Sequence, residues 1–520
     1  MVSAFIPGVS ALDSTGLDEF VLNPPSRTRK KIDIGAIQLE YSTIVVVFAM
    51  IAGFVIRYFT SDYPMWRDEL ASMVFASQPL SRLWSGWMLR ETNPPLFYSL
   101  LHGWLALGAR SVLAIRILPI LGGVAAIGLN GALCHRVSGA WAGGVGALLA
   151  AVSAQHVWFS QEVRGYIFET DGVLVSMLGL AVWLSGGRHA RSGLAAYVLG
   201  AAFGFYCHVT LAVWPVAAGL AVLILHWRAL VEGRGAKAVE FIVANAALAA
   251  LCAWWLGIAA HQLSSENIDH IKPMGMAEHL KLVWHNTILI RDEPPHTLLL
   301  RYALTALIAL GAGLLVKGRP GRTLVLSWVL AIALFHLAQP IHPIVKPFVL
   351  FWLTNFSILA LAVVAASVPG KPARIAFALG LMAALGWNLA DKLSGFWWED
   401  WRGVIATLRR DPQAIMLVEQ QQIGMHANWA CKVEMQVDRC PLPIVVMDSK
   451  DQSYGWAREF MGRPLLRRPL LDAVLLRYQR IYIVNWGGPD PLVTLGVIPP
   501  HPCCAAFVRG PFSPQALLAH

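Results

Sequence analysis

Tyr63-Pro64-Met65-Trp66-Arg67-Asp68-Glu69-Leu70 stands between two long apolar segments, and Glu91-Thr92-Asn93-Pro94-Pro95-Leu96-Phe97-Tyr98 follows it. A chain that is mostly apolar gains nothing in solubility from carboxylates beside a greasy run. Acidic groups at a membrane boundary are costly to keep there and mark functional sites. The reading of Asp68-Glu69 therefore depends on what surrounds it.

The surroundings are membrane-like. Of 520 residues, 56% are hydrophobic and 14% charged, and the mean hydropathy is +0.55. Soluble domains carry about 25% charged residues, so this composition is that of a polytopic membrane protein. The 21 Trp fit rings held at headgroup level. The net charge of +10 reads as cytoplasmic loops rather than nucleic-acid binding, because no basic domain is present.

Eleven runs are apolar enough to span, near 40–59, 112–134, 141–159, 166–185, 194–207, 209–226, 239–260, 298–316, 322–339, 347–366 and 373–390. A spanning helix needs about 20 such residues, so the shorter run 96–107 reads as interfacial or re-entrant. Residues 1–39 are polar and irregular, without a cleavable signal. The basic run Arg27-Thr28-Arg29-Lys30-Lys31 holds the N-terminus in the cytoplasm. His135-Arg136, Arg188 and Arg191, Arg228 with Arg234 and Lys237, Lys317 with Arg319 and Arg322, and Lys371 with Arg374 then fall on one side. A full crossing by 96–107 would invert that pattern.

The opposite face receives the loops 60–111 and 261–297, the motifs near 160–165 and His208, and the stretch 340–346. Residues 68–77 and 80–90 have the spacing of short surface helices. The chain divides into a cytoplasmic segment 1–39, a transmembrane domain 40–390 and an extracytoplasmic domain 391–520. In the last, strand-like runs at 414–418, 442–447 and 480–484 alternate with helical patterns at 402–410 and 470–478, which predicts a small α/β domain with a short parallel sheet. The expected fold is an all-α polytopic bundle with that domain appended. Cys134, Cys207 and Cys252 pack as small hydrophobes. An exported tail would permit a Cys431–Cys440 disulfide, whereas Cys503-Cys504 lacks metal-site spacing.

On the outer face Asp68-Glu69 joins Gln161-Glu162-Val163-Arg164-Gly165-Tyr166, Phe205-Tyr206-Cys207-His208, and His342 with Lys346. Carboxylates can take a proton from an attacking hydroxyl. Cations can stabilise a departing phosphate. Together they suit transfer from a lipid phosphate.

The order Trp66-Arg67-Asp68-Glu69, Asn93-Pro94-Pro95-Leu96-Phe97-Tyr98 with Trp104, Arg116-Ile117-Leu118-Pro119 and Ser160-Gln161-Glu162-Val163-Arg164-Gly165-Tyr166 resembles bacterial glycosyltransferase family 39 proteins. These are relatives of protein O-mannosyltransferases and lipid A aminoarabinose transferases, with the multispanning GT-C fold. The resemblance covers roughly residues 60–210 and continues weakly to Glu399-Asp400-Trp401-Arg402-Gly403-Val404. It implies a polyprenyl-phosphate sugar donor and inverting transfer at the outer face of a bacterial inner membrane, with the C-terminal domain periplasmic. Asp68 then matches the base, and Glu69 a catalytic neighbour and metal ligand. Arg164, Tyr166, Glu162 and His208 would lie near donor phosphate or sugar, with Lys346 as the nearest later cation. Glu69 and His102 are the candidate ligands for a divalent metal, Mg or Mn. Asn93 replaces a His found before Pro-Pro in many members, which weakens a metal role there. The acceptor implied is a lipid, polysaccharide or protein hydroxyl.

Each residue has a structural rival. Asp68-Glu69 would favour a helix N-terminus. Arg164 would snorkel at the interface. His208 would pack in a turn, His102 would cap an interfacial helix, and Lys346 would be a boundary lysine. Glu169 and Asp171 lie just inside a span, where a partnership with Arg164 would explain them. At the level of the whole chain the competitors are a transporter or flippase of lipid-linked sugars and a non-catalytic assembly subunit. A transporter calls for internal repeats and mid-membrane charges, whereas here the charges gather at one face.

Overall fold

The computed structural model describes residues 31–34, 37–232, 235–263, 274–290, 297–339, 345–393, 399–418, 421–447, 457–467, 470–475, 477–478 and 480–484. The basic run 27–30, His342 and Cys503-Cys504 lie outside them. The chain forms two compact units, 1–44 and 45–520. In the first, β1 (Lys31–Ile34) pairs antiparallel with β2 (Ile37–Glu40), Lys31 opposite Glu40. The alternation of Ile32, Ile34, Ile37 and Leu39 with polar residues supports that pairing, where an irregular segment was expected.

The long helix α1 (Tyr41–Phe59) leads to a cluster of short surface helices: α2 (Arg67–Ala76), α3 (Leu80–Leu83), a 3-10 turn Gly86–Arg90, and α4 (Leu96–Ala106). His102 of α4 bonds the Ala76 carbonyl and Trp104 that of Ala114. The run 96–107 thus stays at one end of the bundle, as its length requires. Then come α5 (Val112–Ser138), α6 (Ala140–Val152), α7 (Ala154–Phe159), α8 (Tyr166–Leu184) and α9 (Ala190–Cys207). A 3-10 turn Val209–Ala212 precedes α10 (Val213–Val231), followed by α11 (Ala236–Leu263) and the surface helix α12 (Met276–Thr287). The bundle closes with α13 (Leu298–Leu315), α14 (Arg319–Ala338), the 3-10 segment Pro347–Leu353 running into α15 (Thr354–Ser367), and α16 (Lys371–Leu393). Among the described residues nine helical segments are long and apolar enough to cross a membrane. The segment Pro347–Ser367 is 94% buried and forms the axis of the bundle, while α1 at 17% lies on its rim.

Two features shape the site end. The expected span 141–159 is broken at Ser153, whose backbone is extended. A helix end leaves its last carbonyls unpaired, and the fully buried Arg57 of α1 takes two of them. Its guanidinium donates to Ala150 O (3.2 Å), Ala151 O (3.1 Å) and Gly53 O (3.1 Å), and to Ser160 Oγ (2.7 Å). The second feature is the seam between α8 and α9. A Cβ at Gly172 would stand 2.5 Å from Gly204 Cα, and one at Gly179 would stand 2.4 Å from Gly193 O, so both positions require glycine for close backbone approach.

The tail is α/β as expected. Helix α17 (Trp401–Arg410), capped by Asp400, precedes β3 (Ala414–Val418), α18 (Gln421–Met435), β4 (Ile444–Met447), α19 (Ala457–Phe460), β5 (Leu465–Leu466), α20 (Leu470–Leu475) and β6 (Arg480–Val484). The strands form one parallel sheet in the order β5-β4-β3-β6, Met416 opposite Ile444 and Tyr482. Cys431 of α18 is joined to Cys440. The domain docks on the first surface helices: Met425 and Ala457 pack against Val74 of α2, and Glu459 pairs with Arg82 (3.3 Å) and Arg90 (2.8 Å).

Candidate active site

Asp68 and Glu69 are adjacent in sequence, yet α2 separates them, because neighbours on a helix point about 100° apart. Glu69 faces inward and is fully buried. Its Oε1 accepts Arg116 Nε (3.2 Å) and the Val163 N–H (2.9 Å); its Oε2 accepts Arg116 Nη2 (2.7 Å) and the Trp66 N–H (3.1 Å). Arg116, equally buried on the first turns of α5, also donates to the carbonyls of Ser61 (2.7 Å), Tyr63 (2.5 Å) and Pro64 (3.3 Å) and lies 3.7 Å from the Tyr63 ring centroid. One carboxylate thus ties together the start of α2, the loop after α1, the start of α5 and the loop before α8. Arg116 appeared in the sequence only as part of a motif. An arginine beside a span otherwise reads as an interfacial snorkelling residue.

Glu69 does not fit the role of metal ligand. Four N–H donors occupy the Glu69 carboxylate, and the His102 Nδ1 bonds the Ala76 carbonyl at 2.9 Å, which requires Nδ1 to carry the proton. Among the described residues no three His, Cys, Asp or Glu side chains are grouped to hold an ion. Asn93 is engaged with Glu91 instead: Glu91 Oε1 accepts the Asn93 amide nitrogen (2.7 Å), the Asn93 N–H (3.1 Å) and the Tyr98 hydroxyl (3.0 Å).

Asp68 faces the other way, with its side chain 36% exposed. Its one ion pair among the described residues is a loose contact with Arg67 (3.8 Å). Arg164 reaches across from the loop before α8 and donates to the Asp68 carbonyl and to Ser72 Oγ, each at 3.3 Å. Its guanidinium lies 5.7 Å from the Tyr166 ring centroid. That loop sits low because Gly165 meets the end of α9, where a Cβ would fall 2.5 Å from Cys207 O. Lys346 is half-buried; burial lowers its pKa, and the Asp68 carboxylate opposes that shift. Below these charges is an aromatic floor. Tyr166 stacks on Phe348 at 5.0 Å and lies 5.4 Å from the His208 ring.

Glu162 is buried; its carbonyl accepts the Arg164 N–H (2.7 Å), and its carboxylate acts electrostatically on Arg116 and Tyr166. His208 bonds Thr210 Oγ1 (2.7 Å), which in turn donates to Glu169 Oε1 (3.1 Å). Glu169 therefore belongs with His208 and Thr210 rather than with Arg164, and Asp171, also buried, has an oxygen without a hydrogen-bond partner among the described residues. A cavity of about 330 Å³ lies against Pro347, one residue from Lys346; Gln155, Glu278, Lys281, His285, Asn286 and Arg301 line it together with Met274, Leu282 and Ile290. Glu399 stands beside Arg67 and accepts its N–H at 3.1 Å.

No family model matches the chain, and no curated protein matches its sequence. Solved structures share its architecture. ArnT from Cupriavidus metallidurans in the apo state superimposes with a TM-score of 0.59 at 10% identity, covering 92% of this chain and 97% of that one. The same protein bound to undecaprenyl phosphate gives 0.57 at 10% identity, over 88% and 94%. The Archaeoglobus fulgidus oligosaccharyltransferase in complex with Zn and sulfate gives 0.52 at 14% identity, over 82% and 62%. The chain has their GT-C membrane fold, and at these identities the likeness extends to fold alone.

Proposed function

We propose that this GT-C scaffold carries a membrane glycosyltransferase that moves a sugar from a polyprenyl-phosphate donor to an acceptor hydroxyl with inversion. The observation that carries the reading is the division of labour at 68–69. Glu69 takes the structural bonds, and Asp68 is left accessible beside Arg164 and Lys346. Asp68 is the base. It accepts the acceptor's hydroxyl proton as the oxygen bonds to the anomeric carbon. The carbon–oxygen bond to phosphate breaks, and its electron pair leaves on the phosphate. Arg164 and Lys346 offset that charge. The partly exposed Phe348 ring, backed by Tyr166 and His208, offers the sugar an aromatic face, and the neighbouring cavity gives polar groups for its hydroxyls. Each of these steps runs on this chain's own side chains.

The proposed setting is a bacterial inner membrane, with the N-terminus cytoplasmic and the site and C-terminal domain periplasmic. Two observations support that orientation. Basic residues such as Arg191, Arg319 and Lys371 gather at the opposite helix ends. The Cys431–Cys440 disulfide suits an oxidising compartment. The acceptor is a lipid, polysaccharide or protein hydroxyl. The test supplies membranes carrying the protein with a panel of labelled polyprenyl-phosphate sugars. Asp68→Asn should lower transfer by about 10²–10⁴-fold while inserting normally. Full activity in that variant would remove Asp68 as base.

A further inference from the structure

Glu399 has no part in the reaction just described, yet it is built into the loop that presents Asp68. It follows the last spanning helix and is only 3% exposed. Both of its donors come to one oxygen. Oε2 accepts the Arg67 N–H (3.1 Å) and the Trp401 indole N–H (2.7 Å), while the buried Oε1 has no hydrogen-bond partner among the described residues. The Arg67 N–H is one of the donors that the first turn of a helix leaves without an internal acceptor. A carboxylate from the far end of the chain therefore caps the helix whose next residue is Asp68.

We propose that Glu399 is a positioning residue for Asp68: Oε2 anchors the first turn of α2 through the Arg67 N–H, and the charge on Glu399 is coupled to the charge on Asp68. The inference rests on Asp68 being the base. Its electrostatics follow from the groups that face Glu399. Burial pushes the Glu399 pKa up to about 7; the Trp401 and Arg67 bonds and the Arg67 charge oppose this, and the Asp68 charge adds to it. Arg67 and Asp68 face it from α2, and Asp400, Trp401 and Arg402 share its own segment. Arg402 is turned to Asp62 and Glu434, each at 2.9 Å. Next to Arg67 are His426 of α18, which burial holds at about 3 and so uncharged, and Lys346. With both donors on Oε2, the proton of the neutral form resides on Oε1. When Glu399 ionises it sets a second negative charge near Asp68, so a charged Asp68 opposes the ionisation of Glu399.

That coupling gives a test that needs no substrate. Carboxylic C=O stretches are followed by infrared spectroscopy while the full-length protein in detergent is titrated, with Asp68→Asn and Glu399→Gln used to assign the bands. The Glu399 band should titrate near neutrality in the wild type and at lower pH in Asp68→Asn. An unchanged Glu399 titration in Asp68→Asn overturns the proposal. The second arm is the pH profile of transfer with the labelled polyprenyl-phosphate sugars. Wild-type kcat/KM should rise several-fold through about pH 7, and Glu399→Gln, which keeps an acceptor for the two N–H groups, should lose that limb while melting like the wild type at acidic pH. A limb that persists in Glu399→Gln also overturns the proposal. If the two bands are coupled but no donor supports transfer, the enzymatic reading fails and the coupling between the two carboxyls stands.

Discussion

Glu69→Gln separates two accounts of the acidic pair. The variant preserves shape and removes the charge that pairs with Arg116, leaving a fully buried guanidinium without its anion. Breaking one partner of such a pair costs about 3–5 kcal/mol. The new amide keeps one oxygen, so its NH2 group faces either the Val163 or the Trp66 N–H where the carboxylate accepted both, which adds to the loss. At about 1.4 kcal/mol per decade, the lower limit is roughly a hundredfold in the folded population. Thermal unfolding in detergent, followed by tryptophan fluorescence, should show Glu69→Gln melting several degrees below the wild type. Asp68→Asn should stay within about 0.5 kcal/mol, as exposed substitutions do. The double variant Glu69→Leu with Arg116→Met should be less destabilised than either change alone, since it leaves no unpaired buried charge. Wild-type melting of Glu69→Gln would refute the reasoning. So would a loss of activity that added Mg or Mn restores, which would return Glu69 to a metal.

Three further outcomes follow from the same geometry. Gly172→Ala places a methyl against the α9 backbone at 2.5 Å, where no side chain can yield, and should destabilise by about 1–3 kcal/mol in the same melting assay. Removing the Cys431–Cys440 bridge, which closes a separation of 9 residues, should cost the C-terminal domain about 2–3 kcal/mol, read as faster proteolysis of the tail. Glu399 holds its proton to about pH 7 when folded but only to about 4.3 when unfolded. The folded state therefore binds more protons between those values, and this group's contribution to stability falls as pH rises through them. The melting temperature of Glu399→Gln should climb relative to wild type across that window, and a constant difference would contradict the burial of a titrating carboxyl.

Much of the bundle was legible because a membrane span leaves an unmistakable apolar run, and the basic loops set which ends belong together. The break at Ser153 was not, since both halves of 141–159 are apolar and the arginine that pairs its freed carbonyls lies on α1. The tail strands at 414–418 and 480–484 stood out as runs rich in β-branched and other apolar residues. Helix α18, which mixes Gly424, His426 and Asn428 among its apolar positions, did not. At the site, sequence marked Asp68-Glu69 but gave both residues chemistry. Which of two neighbouring carboxylates turns inward depends on where α2 lies against α5 and the loop before α8. Arg116 and Glu399 were hidden for a similar reason, as their partners are distant in the chain and neither spacing nor composition encodes them.

The bond between Arg67 and Glu399 joins residues 332 positions apart, and that distance is also a delay. At ordinary translation speeds of 5–20 residues per second, the cap for α2 emerges roughly 15–70 s after the helix itself. Over that interval the nascent first loop has Arg116 and the loop before α8 to hold it, but no Glu399 and no α18 to cover Val74 and Ala71. The loop bearing Asp68 is therefore assembled in two instalments in the growing chain, and ribosomes stalled before codon 399 should carry a form in which that loop is open to protease.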